Sequence, residues 1–312
     1  MATSGVTATT QPRNKILKRA ARLVNAIGES EEMTAAQVVE FTDALNALVK
    51  HWQGSGIHIW SVKEATLFPQ PGQFQYTAGR DATDHITETY AETQTTADAV
   101  LSATTLDVAD TSDVTIGDQV GVVLDDGTVH WSVVVNTTAT TIIISVPLPD
   151  SVDTGNTVWT YTNKISRPLK VVGARRYDVR SANEIPIMLE ARLDYRNLPS
   201  KRDEGALVSM YYDRQRVTGI FNLWRIPAAV TELVKFTFHK PLEIFTTGND
   251  EADFPDDWEQ ALVWNLADQQ SGLYPVKPAM QRQIPINAAR FLDDMTGSDR
   301  ENESVFFGVD LG

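Results

Sequence analysis

Hydrophobic positions recur at two different periods along this chain, and the switches between them predict its elements. From Asn14 the apolar residues Ile16, Ala20, Leu23, Val24 and Ile27 fall at helical spacing, with Lys15, Lys18, Arg19 and Arg22 on the other faces and Gly28 closing the run. This predicts a short amphipathic helix with a basic outer side. Thr34 and Gln37 form a capping-box pattern ahead of the stripe Val38, Phe41, Leu45, Leu48 and Trp52, which predicts a second helix and, with the first, an antiparallel hairpin. Gly54, Ser55 and Gly56 then change the period to two, and an extended hairpin is expected from Ile57 through the Pro69–Gly72 turn to Tyr76.

Further on, Val120, Val122 and Leu124 alternate into Asp126–Gly127 and Val129, Trp131, Val133 and Val135 alternate out of it, the pattern of a tight hairpin. Later strands are expected at Lys170–Tyr177, Ile185–Leu189 and Leu233–Phe238, with a hairpin from Ala206–Tyr212 to Gly219–Arg225 and a helical turn near Asp194–Leu198. The segment from Pro255 to Gly272 has well-marked ends, with Asp256 and Asp257 where the helix dipole favours negative charge. Its apolar residues Trp258, Ala261, Leu262, Val263, Trp264, Leu266 and Ala267 go most of the way round. Such a helix is packed on nearly all sides, either as the centre of its own bundle or between its own chain and a neighbour. Trp258, Leu262, Trp264 and Leu266 are the candidate subunit-interface residues. A last amphipathic helix is expected with Ile286, Ala289, Phe291 and Leu292 inward and Pro285 limiting its start.

These patterns predict an α+β fold: a helical bundle packed with a mostly antiparallel β region, plus an inserted small all-β domain and a C-terminal arm. Residues 1–13 are expected as a mobile N-terminal arm, and 14–90 with 164–295 as the core, its helices at about 14–27, 34–53, 255–271 and 279–295. Residues 91–163 form the inserted domain and 296–312 the arm, where Val305, Phe306, Phe307, Val309 and Leu311 follow a polar acidic stretch and are candidate docking residues.

Composition sharpens the division. The chain of 312 residues has a net charge of −14, no cysteine and 42% hydrophobic residues, so disulfides and thiolate chemistry are excluded and a sizeable core is expected. Residues 91–163 hold 10 acids and no Lys or Arg, whereas 164–242 hold 15 basic and 8 acidic side chains. Opposite-signed surfaces of this kind can fix register between partners. No apolar run approaches the roughly 18 residues of a membrane span, so no membrane association is expected. The start lacks the basic and apolar regions of a signal peptide, and export by the general pathway is not expected.

Candidate chemistry is sparse. His51, His58, His85, His130 and His239 have no metal-ligand spacing, and no phosphate loop, nucleotide fingerprint or nucleophile elbow occurs. The cluster Asp107, Asp110, Asp113 and Asp118 lacks the closing Glu of a calcium loop and reads as turn-forming. Asp256 and Asp257 suit a helix start better than an acid/base pair. No catalytic residue, metal or cofactor is therefore expected. Arg175, Arg176, Arg180, Arg192, Arg196, Lys201 and Arg202, interleaved with Tyr177 and Tyr195, could meet phosphates, but the acidic remainder opposes tight DNA binding.

Five ordered stretches carry a resemblance: LNALVKHWQGSGIHIW (45–60), FPQPGQFQY (68–76), LDYRNLPSK (193–201), YYDRQRVTGIFNLWRIP (211–227) and FPDDWEQALVWNLA (254–267). Together they resemble the head-to-tail adaptor, or tail accessory factor, of short-tailed bacteriophages, over roughly residues 14–90 and 165–272. The resemblance implies a structural virion protein, not an enzyme, assembled in the host cytoplasm and found at the head-tail junction. It implies a homo-oligomeric ring, usually of twelve copies, joining the portal protein to a downstream tail or nozzle protein and extending the channel through which DNA passes without sequence-specific binding. In the family's manner the C-terminal arm would dock on the portal or a neighbour. The alternative is a receptor- or carbohydrate-binding virion component that uses the inserted β domain, with Trp131, Trp159 and Tyr161 stacking on sugars.

Overall fold

The computed structural model describes residues 11–56 and 59–298. In chain order the elements are α1 (Arg13–Leu23), α2 (Ala35–Ser55), β1 (Val62–Leu67), β2 (Gln75–Ala78), β3 (Ile86–Thr87), β4 (Ala91–Gln94), β5 (Thr105–Asp107), β6 (Gln119–Val123) and β7 (Val129–Thr137). They continue with β8 (Thr141–Ile144), β9 (Thr157–Tyr161), β10 (Lys170–Asp178), β11 (Asn183–Leu189), α3 (Arg192–Asn197), β12 (Ser209–Arg214), β13 (Gly219–Trp224), β14 (Glu232–His239), α4 (Glu259–Gln270) and α5 (Pro278–Ser298). The chain divides into two compact units, Met1–Ser61 with Leu242–Gly312, and Val62–Pro241.

The expected α+β class, a helical bundle packed with a β region, is overturned. The protein is mostly β-sheet, with two large curled sheets and five helices among the described residues. Several strands are very short, β3 of two residues and β5 of three, and so short an element leaves no alternation to be read.

In the helical unit, α1 buries Ile16, Leu17, Ala20 and Ala21 and ends at Leu23, ahead of the expected boundary, because Asn25 takes the left-handed conformation at φ 59°. Helix α2 begins with the anticipated capping box: Gln37 N–H donates to Thr34 Oγ1 at 3.3 Å and Thr34 N–H to Gln37 Oε1 at 2.9 Å. It ends at Gly56, whose φ of 84° suits a residue without a Cβ. Helix α4 lies at the centre, packing on α1, α2 and α5 and burying Ala261, Leu262, Val263, Leu266, Ala267 and Gln270. Lys15 and Arg19 of α1 both reach Glu259 in its first turn, so part of the basic face of α1 is used within the unit. Helix α5 runs through Pro285 instead of being limited by it. Proline removes one backbone donor, and packing of Ile284 and Ala288 in the core holds the helix together there.

In the β unit the eight-stranded sheet has the order β2-β13-β12-β11-β10-β14-β1-β3, and the six-stranded sheet the order β4-β9-β6-β7-β8-β5. The larger sheet buries Leu67, Phe221, Leu223, Phe236 and Phe238 in one core; the smaller buries Leu106, Val120, Val122, Ile142, Ile144 and Val158 in another. The hairpin expected from Ile57 to Tyr76 does not form. Strand β1 pairs with β14 and β3, whereas β2 pairs with β13, so both strands find distant partners. The hairpin of β6 and β7 does form, with Gly127 at φ 84° in its turn.

Candidate functional site

Between the two sheets of the β unit lies an aromatic cluster, and beside it a cleft. Alternation along the strands of the smaller sheet sends Val158 and Thr160 to one side and Trp159 and Tyr161 to the other, where they join Phe68, Val129, Val230 and Leu233. Phe68 is the hub: its ring centroid lies 5.3 Å from Tyr90, 5.2 Å from Trp131 and 5.3 Å from Trp159. His85 stacks on Trp131 and its Nδ1 lies 2.7 Å from the Tyr161 hydroxyl. Burial, reinforced by the Lys164 charge, lowers the His85 pKa from 6.5 to about 3, so the ring is neutral and shares a hydrogen bond with the phenol whose direction its tautomer sets. Burial likewise raises the Tyr161 phenol well above its usual value.

The cleft opens where β4, β9 and the β6–β7 turn of the smaller sheet meet residues 179–180 and 229–231 of the larger. Its volume is about 790 Å³. Glu92, Gln94, Asn156, Thr157 and Thr231 contribute polar groups, and Val123, Trp159 and Val230 an apolar floor. Asp125 braces the wall, accepting from Asp153 N–H and Asn156 Nδ2, each at 2.9 Å. Hydrogen bonds from Ser151, Asp153 and Asn156 hold its carboxyl below the ordinary carboxylate range.

The residues singled out from sequence are dispersed. Trp258, Leu262 and Leu266 lie in the core of the helical unit at 2% exposure or less, covered by their own chain; Trp264 is half-buried, its ring centroid 6.2 Å from that of Phe291. Of the two readings of the all-round apolar helix, the centre of its own bundle is the one that accounts for these side chains. Val305, Phe306, Phe307, Val309 and Leu311 lie outside the described residues, as does His58. Trp159 and Tyr161 are buried in the cluster, and Trp131 is held between His85 and Gly121, which leaves little aromatic face for a sugar.

The basic set is largely engaged. Arg175 reaches Glu64 and Glu184, Arg176 reaches Glu232, and Arg192 reaches Asp213. Lys201 donates to the carbonyls of Tyr195 and Leu198 and lies 4.6 Å from the Tyr195 ring centroid. Asp110 and Asp118 hold turn amides, those of Ser112 and Thr115. Among the described residues no group of three or more His, Asp or Glu side chains is placed to hold a metal ion, and no helix is long and apolar enough to cross a membrane.

Sequence reasoning missed the cleft because its walls come from five separate stretches, each ordinary by itself. No family model matches the chain, and no curated protein matches its sequence.

Proposed function

We propose that this chain is a structural virion protein, the head-to-tail adaptor of a short-tailed bacteriophage. In this reading copies of it form a ring, twelve in the expected case, that joins the portal vertex to the tail and extends the DNA channel. The observation that carries the reading, beside the sequence resemblance, is a group of large apolar side chains left in solvent on β11 and the start of α3. Ile185, Met188 and Leu189 of β11 and Leu193 of α3 are exposed, Met188 at 65% and Leu193 at 71%. Single exposed hydrophobics are ordinary, but several close together in sequence, Ile185 and Leu189 on one face of the strand and Met188 on the other, suit a segment that another protein covers. Pro186 lies within the same strand and lacks a backbone donor, which favours side-chain docking over strand addition there. The cation-free stretch 91–163 and the cation-rich stretch 164–242 supply complementary flanks between copies.

The C-terminal residues Val305, Phe306, Phe307, Val309 and Leu311 are the proposed anchor on the portal or a neighbouring subunit, since buried aromatics dominate binding energy at interfaces. Cosedimentation with portal protein tests this. The full chain is expected to travel with the portal and a chain ending at residue 295 to stay behind; equal attachment by both removes the arm from the proposal.

A further inference from the structure

We propose that the cleft between the two sheets of the β unit is a binding site for a neutral saccharide. The proposal is independent of the ring reading and gives the inserted sheet a task of its own.

Three features of the cleft lead to this ligand. First, its volume of about 790 Å³ lies within the range of small-molecule sites and has room for a short oligosaccharide. Second, its lining is amphipathic in the way a sugar ring is. Val123, Val179 and Val230 offer apolar surface to carbon-bound hydrogens, while Glu92, Gln94, Arg180 and Thr231 bring planar or hydroxyl groups that pair with ligand hydroxyls. Glu92 and Gln94 are exposed and two residues apart on the edge strand β4, so both side chains fall on the same face of the sheet. Asp125 and Asn156 are already engaged in bracing the wall, which leaves Glu92, Gln94, Arg180 and Thr231 as the recognition groups.

Third, Trp159 lines the cleft with its Nε1–H buried and without a hydrogen-bond partner among the described residues. Buried donors are normally paired, and an orphan at a cleft wall marks a place where an acceptor belongs. A sugar hydroxyl both accepts and donates, so one ligand satisfies the indole and the surrounding carboxylates. Charge selects within the class: Glu92, Asp125 and Asp153 against Arg180 alone disfavour sialylated, uronate and phosphorylated sugars.

The experiment uses the full chain on an array of neutral and anionic glycans, followed by saturation-transfer NMR with each neutral hit. Two variants accompany it. Glu92→Ala with Gln94→Ala removes recognition groups from an exposed strand, and Ala229→Trp fills the cleft from an exposed position. Near-ultraviolet circular dichroism confirms that each is folded. The expected result is binding of at least one neutral glycan that weakens tenfold or more in both variants. Three results overturn the proposal: no neutral glycan bound at millimolar concentration, binding confined to anionic glycans, or neutral-glycan binding that both folded variants retain.

Discussion

The imidazole of His85 lies flat against the indole of Trp131, ring centroids 3.8 Å apart and planes 6° from parallel. Because the folded chain holds this ring neutral down to about pH 3, whereas an unfolded chain protonates it near 6.5, unfolding takes up a proton at intermediate pH. The contribution of His85 is therefore fully present above pH 6.5 and declines as pH falls toward 3. Carboxylates held low by hydrogen bonds, such as Asp98 and Asp110, act mainly below about pH 5, so a comparison with His85→Phe between about pH 5 and 6.5 reads the share of this histidine. Thermal melting across that interval should show a falling midpoint in the native protein and a flatter profile in His85→Phe.

Trp131 rests on the backbone of Gly121 across the β6–β7 pair, and a Cβ added at Gly121 would stand 2.6 Å from its ring. Gly121→Ala should cost about 1–3 kcal/mol in chemical denaturation, as overpacking does. Trp131→Leu in the same chain should return part of that loss, because the obstructing ring is gone. Equal stability of native protein and Gly121→Ala would show that the indole moves freely.

Leu262 and Leu266 are fully buried by their own unit, whereas Trp264 is half-buried. Leu262→Ala or Leu266→Ala should therefore lower the stability of the isolated chain by about 2–5 kcal/mol. Trp264→Ala should have a smaller effect, read by urea denaturation at a concentration where the native chain is monomeric. Comparable losses at all three positions would mean that Trp264 is better covered than its exposure indicates.

Arg175 stands between two acids, its Nη2 2.5 Å from Glu64 Oε2 and its Nε 2.5 Å from Glu184 Oε2. The Nε contact has the separation of an ion pair but not the alignment of a hydrogen bond. All three side chains retain solvent contact, so Arg175→Met should cost about 1 kcal/mol or less, and the difference should shrink in high salt. Denaturation at low and at high sodium chloride measures it.

Where the signals are local, the sequence carries the structure. Thr34 and Gln37 announce the start of α2, the apolar girdle of Leu262, Val263 and Leu266 announces a helix covered on nearly all sides, and Gly127 announces the β6–β7 turn. Pairing between distant segments is not written in that way. Nothing in VKEATL indicates that β1 joins β14, far along the chain, or that β2 joins β13 instead of its neighbour. Without those pairings the local pattern understates the extent of the sheets and overstates the helical share. His85 was unremarkable as a residue type and became informative only beside Trp131, Tyr161 and Lys164. Glu92, Gln94, Asn156 and Thr231 met only once the two sheets were in place.

Native mass spectrometry of the full chain, alone and mixed with portal protein, tests the proposed assembly most directly. The account predicts a closed multiple of the chain mass, twelve in the expected case, in at least the mixed sample, and its loss when Met188→Asp and Leu193→Asp are introduced together. A single-chain mass in both samples at every concentration would contradict it.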